Sequence, residues 1–112
     1  MTVEAGDVVV VPFPFVDRRA SRRRPALVLS TRKFNRAGHT VLAMITTSSH
    51  APWPGDITLS QREAAGLHSD CRVRLKLFTL DNRLIVRRIG RLADPDRLAV
   101  GTSLADHLMA SA

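Results

Sequence analysis

The chain has a single cysteine, Cys71, and residues 18 to 36 contain no acidic side chain. One thiol cannot form an internal disulfide, which suits a reducing cytoplasm. No apolar run reaches the roughly 18 residues that a membrane-spanning helix needs. The opening stretch MTVEAGDVVVV places an acid before its short apolar run and no basic segment ahead of it, unlike a secretory signal. A soluble cytoplasmic protein with no membrane partner is expected. Ligand clustering is missing as well. His39, His50, His68 and His107 are far apart and Cys71 has no partner at ligand spacing, so no metal or other cofactor is expected. The six glycines are scattered through turn contexts rather than gathered into a phosphate loop. A nucleophilic cysteine would need a positioned histidine, and Cys71, inside an alternating strand, reads as a small core residue.

What the chain has in excess is positive charge. A formal net charge of +7 on 112 residues favours polyanions as partners. Fifteen of the seventeen basic residues are arginine, a bias that GC-rich coding alone produces. Coding bias scatters arginines, however. Here Arg18, Arg19, Arg22, Arg23, Arg24, Arg32, Lys33 and Arg36 are gathered into one stretch. Five of them, in RRASRRRPALVLS, stand before a proline and an apolar run. Such a cluster repels itself and needs either solvent or an anion, and its gathering favours the anion.

The length allows one domain, residues 1–112, with a single core, and an apolar share of 45% excludes disorder. Gly6-Asp7 is a turn signal, and VVVVPFPF after it is a buried strand. Pro12 and Pro14 lack an N–H, which places that strand at a sheet edge or a bulge near its end. PALVLS (25–30) is a second strand, NRAGH (35–39) a turn and TVLAMIT (40–46) a third, mostly buried strand. TSSHAPWPG (47–55) is a long loop and DITL (56–59) a short strand. Ser60 and Glu63 form a capping-box pattern that predicts a short helix stopped by Gly66. CRVRL (71–75) alternates as a half-exposed strand, LFTLDNRL (77–84) stays open between strand end and turn, and IVRRIGRL (85–92) is a further strand. Asp94-Pro95 reads as N-cap and first position of a terminal helix with Leu98, Ala105, Leu108 and Met109 on its inner face. These elements predict a mainly β, α+β chain: a small, strongly bent antiparallel sheet or barrel capped by helices.

Two stretches carry chemistry. Arg24 precedes Pro25, which biases it toward extended backbone, and its guanidinium is a rigid fork suited to phosphate. ITTSSH places four hydroxyls where a buried strand emerges, a common position for functional side chains. Read alone, Thr46 and Thr47 are equally ordinary strand residues.

Taken together, GDVVVVPFPF, RRRPALVLS, AMITTS, DITL and IGRL, in this order across residues 5 to 110, resemble the PemK/MazF family of toxin endoribonucleases. LKLFTLDNRLI resembles one of its subgroups. The resemblance implies a MazF/CcdB-like toxin fold: a small SH3-like, bent antiparallel barrel with a short helix and a C-terminal helix, assembled as a homodimer. It implies metal-independent cleavage of single-stranded RNA, leaving 2′,3′-cyclic phosphate and 5′-hydroxyl ends. An antitoxin with an acidic disordered tail would occupy the RNA groove. By position Arg24 matches the family's catalytic arginine, Thr46 its catalytic hydroxyl residue, and Arg74 an arginine some members use in catalysis. Those members place an aspartate shortly after it; here Lys76 stands there, so no carboxylate role carries over.

The expected RNA-binding residues are Arg18, Arg19, Arg22, Arg23, Thr47, Ser48, His50, Trp53 and Lys76. Trp53 reads equally as a base-stacking face or as a plug between Pro52 and Pro54. Histidine is a residue type that serves as a general base, which makes His50 a candidate, although its loop position fits a solvent role as well. Two other readings stay open. One is a gyrase-poisoning toxin of similar fold, whose group carries an aromatic C-terminal end that SLADHLMASA lacks. The other is an RNA-binding module without activity.

Overall fold

The computed structural model describes residues 2–12 and 22–109, so Pro14, Arg18 and Arg19 lie outside the described residues. Six strands, β1 (Asp7–Pro12), β2 (Arg23–Val28), β3 (His39–Thr47), β4 (Ile57–Thr58), β5 (Cys71–Asp81) and β6 (Arg87–Arg91), form one sheet in the order β4-β5-β3-β2-β1-β6. Every pairing is antiparallel. The sheet curls into a half-barrel and carries a C-terminal helix, the mainly β arrangement with some α that the sequence predicts.

Curling explains how so short a chain buries both faces of its central strands. Val8, Leu27, Ala43, Ile45 and Val73 pack in one cluster with Leu92 and Val100. Val3, Val9, Val11, Ala26, Val28 and Leu42 form the other. Alternate residues of β1 thus belong to opposite clusters, as a period of two requires. β1 lies between β2 and β6, which corrects the expectation of an edge strand. Pro12 is tolerated because it ends the strand opposite Arg23, beyond Val10, the last residue paired to β6. The bulge in β1 falls earlier, between Val8 and Val9.

The capping box does not form. Residues 62–66 are turns, and Ser60 donates both its N–H (2.9 Å) and its hydroxyl (2.8 Å) to Asp96 Oδ1. Gln61 N–H donates to the other oxygen at 3.0 Å. A carboxylate from a distant helix has thus outbid a local cap. That helix, α2 (Asp94–His107), starts at Asp94 with Ala93 in the cap position. Its inner face is Asp96, Val100 and Ser103 with Leu104, and Ser103 Oγ donates to the Gly55 carbonyl at 2.7 Å. Leu98, Ala105, Leu108 and Met109 are exposed instead, because two polar ties rotate the helix away from the apolar phase. The other helix, α1 (Arg32–Asn35), precedes the expected NRAGH turn and is capped by Thr31, whose hydroxyl accepts from Phe34 N–H. β5 is continuous through the ambiguous stretch and ends in a 3-10 turn, Asn82–Leu84. No helix among the described residues is long and apolar enough to cross a membrane.

Asp96 is 3% exposed. Burial alone would raise its pKa, but the Ser60 and Gln61 donors outweigh that and hold it below the usual carboxylate value. A depressed folded pKa stabilises the fold above the unfolded value, about 3.9, and that contribution is lost as pH falls through the folded value. Asp96→Asn should therefore lower stability at neutral pH by about 1–3 kcal/mol. It should also flatten the fall in Tm below about pH 4, read from thermal melts across pH.

Candidate active site

β2 and β3 carry the two residues singled out by the sequence to the same place. Their ladder ends at the Ala26–Met44 pair, and two residues further along each strand stand Arg24 and Thr46. Both line a cleft of about 440 Å³ whose floor holds Val10, Pro25 and Ile45. Thr47 and His50 line it too, so four predicted site residues meet there.

Thr46 is 5% exposed, and its Oγ1 lies 2.6 Å from Nδ1 of His50. Three hydrogen bonds hold His50, two at its backbone and one at its ring. His50 N–H donates to the Thr47 carbonyl (3.3 Å), Arg72 donates to the His50 carbonyl (2.8 Å), and the ring meets the Thr46 hydroxyl. The loop histidine therefore holds a definite place beside a buried hydroxyl. Arg24 Nε is buried with no hydrogen-bond partner among the described residues. A buried, unmatched guanidinium donor is uncommon and calls for a functional account. Ser48 Oγ is in the same condition, while its N–H donates to the Asp70 carbonyl at 3.0 Å. Thr47 and Ser49 pair their hydroxyls at 2.9 Å.

The opposite wall was not legible in the sequence. His68 and Ser69 line it from the turn before β5, and Arg87 from β6. Arg87 pairs with Val10, which also pairs with Pro25, so cross-strand register brings a second guanidinium to the cleft. The turn is pressed onto β6 where two glycines face each other. A Cβ on Gly66, at φ +75°, would stand 2.1 Å from the Ile89 carbonyl oxygen, and one on Gly90 would stand 2.3 Å from the Ala65 carbonyl carbon. Gly66→Ala should destabilise the fold by on the order of 3 kcal/mol, measurable by urea unfolding. A change under about 0.5 kcal/mol, the range of ordinary surface substitutions, would show that this wall adjusts freely.

The basic stretch is not one patch. Arg22 and Arg23 are exposed beside Arg24, but β2 then carries the chain about 17 Å away before Arg32, Lys33 and Arg36 appear. There Arg32 pairs with Glu4 at 2.7 Å. Arg74 does not line the cleft. It is 8% exposed and forks onto Asp56, Nε to Oδ1 at 3.1 Å and NH2 to Oδ2 at 2.9 Å. These bonds raise its pKa above the ordinary arginine value. The Trp53 ring lies over it, 5.4 Å from its guanidinium carbon, with Lys76 Nζ at 5.9 Å. Cys71 lines the cleft, and burial pushes its thiol pKa up, away from thiolate chemistry. Among the described residues no group of three His, Cys, Asp or Glu side chains is placed to hold a metal ion.

A curled antiparallel half-barrel with a C-terminal helix is the architecture of MazF-type toxins. MazF (Form-I) from Deinococcus radiodurans matches with a TM-score of 0.72 at 25% identity, over 95% of this chain and 96% of that one. The MazE-MazF complex (Form-II) of the same organism matches with a TM-score of 0.76 at 24% identity, over 99% of each chain. An endoribonuclease in complex with its cognate antitoxin from a Mycobacterial species matches with a TM-score of 0.74 at 18% identity, over 93% and 92%. No curated protein matches at the level of sequence. The profile of the PemK-like, MazF-like toxins of type II toxin-antitoxin systems matches residues 4–108. The chain belongs to that family.

Proposed function

We propose that this toxin is a metal-independent endoribonuclease that cuts single-stranded RNA in the Arg24–Thr46 cleft. The observation that carries the reading is the meeting of a buried, unmatched guanidinium donor with a buried hydroxyl held 2.6 Å from an imidazole. Cleavage forms a bond from the 2′-oxygen to phosphorus and breaks the bond to the 5′-oxygen. A base takes the 2′-hydroxyl proton, donors hold the charge on the phosphate, and an acid supplies a proton to the leaving oxygen. The Arg24 guanidinium is the donor to the phosphate, the Thr46 hydroxyl is a second, and solvent water supplies the proton to the leaving 5′-oxygen. His50 is the base, with Thr46 orienting its ring. Products end in a 2′,3′-cyclic phosphate and a 5′-hydroxyl.

An antitoxin with an acidic disordered tail belongs to the same proposal, supported by the toxin–antitoxin complexes of similar fold, as does the homodimer that the family resemblance implies. Labelled RNA incubated with the protein and EDTA, followed by analysis of product ends, tests the activity. Cutting that EDTA abolishes, or products bearing 5′-phosphates, would overturn the mechanism; RNA bound but left intact would leave only a binding module.

Arg22 and Arg23, exposed at the cleft end of β2, supply attraction. RNA affinity should fall steeply with salt, and Arg22→Ala with Arg23→Ala should reduce the slope of log K against log salt by about 1.4, at roughly 0.7 per single-strand phosphate contact. An unchanged slope would place both arginines in plain solvent.

A further inference from the structure

Trp53 stands outside the cleft, three residues past His50. That length of chain spans about 10 Å at most, so the ring is within reach of a strand lying in the cleft. It is 42% exposed, which does not suit a plug under the loop. Its mounting is buried instead. Asp56 accepts the Trp53 N–H at 3.0 Å with the same Oδ2 that pairs with Arg74 at 2.9 Å. Arg74 also donates to the Ala51 carbonyl at 2.8 Å. One carboxylate thus fixes both the loop backbone and the guanidinium beneath the indole.

The strand below is shaped for this. Ala43 pairs with Leu77 and Met44 with Arg74, so Leu75 and Lys76 bulge out of the ladder between them. A bulge re-aims side chains, and Lys76 meets the indole here. An exposed aromatic face with an ammonium beside it suits a base and its phosphate. An apolar partner would have to bury the Lys76 charge.

We infer that Trp53 is a base-stacking subsite for RNA beside the cleft, and that Arg74 is the positioning residue that holds it. The inference rests on the RNA-cleavage reading. Because the chain has one tryptophan, its emission reports the subsite directly.

The test titrates the full chain with RNA carrying a 2′-deoxy sugar at the cut site, then measures cutting of the matching ribose substrate. RNA should quench the emission. Trp53→Ala should raise KM about tenfold or more with kcat nearly kept, and Trp53→Phe should recover most of the loss. Arg74→Met should follow Trp53→Ala, with a normal kcat at saturating RNA. A collapse of kcat in Arg74→Met with a native Tm would make Arg74 catalytic and overturn the inference. So would an unchanged KM in Trp53→Ala, which decides the matter even if Arg74→Met fails to fold. Emission that shifts on dilution of the protein alone, and not with RNA, would assign the ring to a contact between copies. Wild-type protein that neither binds nor cuts RNA would overturn the RNA reading itself.

Discussion

Arg24→Lys should bind a non-cleavable RNA nearly as tightly as the wild type and cut the matching substrate at least about 100-fold more slowly. Charge is conserved in this variant, and Arg22 and Arg23 remain exposed beside it, so attraction survives. The planar fork does not. Arg24 Nε is a buried donor with no partner among the described residues, and lysine has only a methylene at that place along its side chain; its ammonium is a hydrated point charge at the tip. Arg22→Lys is the control and should change neither property, with both assays run in EDTA. Near-normal cutting by Arg24→Lys would mean that the arginines before Pro25 only gather RNA, and the chemistry would have to be sought elsewhere in the cleft.

Thr46→Val should reduce cutting by about 100-fold or more and shift stability by only about 0.5–1.5 kcal/mol. Valine keeps the β-branched shape that the strand position favours. The hydroxyl it deletes is bonded to His50, which is exposed, so water replaces the lost partner at the imidazole. RNA affinity should hold, because Thr46 carries no charge. Single-turnover cutting and a thermal melt of the same preparation decide the matter. Equal losses in both would make Thr46 a structural threonine and remove it from the mechanism.

The sequence showed its strands clearly and their neighbours poorly. Alternation and turn residues located β1, β2, β3 and β6 because those signals are local. The place of β1 inside the sheet depends on β6, which pairs with it from some eighty residues away, so two prolines misled. The Ser60 cap failed for a similar reason: its better acceptor, Asp96, lies 36 residues on. Arg24 and the hydroxyl run around Thr46 stood out from their local sequence, resemblance gave them their roles, and an antiparallel ladder joined them. His68 and Arg87 carried no signal, since their approach depends on register and on the Gly66–Gly90 contact. The long basic stretch gave the opposite error, because adjacency in the chain looked like adjacency in space until β2 intervened.

The unmatched Arg24 nitrogen also bears on how such a toxin is silenced. A donor already stripped of water donates to any oxygen of suitable geometry, whether it belongs to a phosphodiester or to a carboxylate. Occupancy by either should raise the melting temperature, since each binds the folded chain alone. The two occupants would exclude each other without any movement of the fold. On the proposed reading, neutralisation would require no rearranged strand or distant signal: an acidic chain would need only to hold the one atom that RNA would otherwise claim.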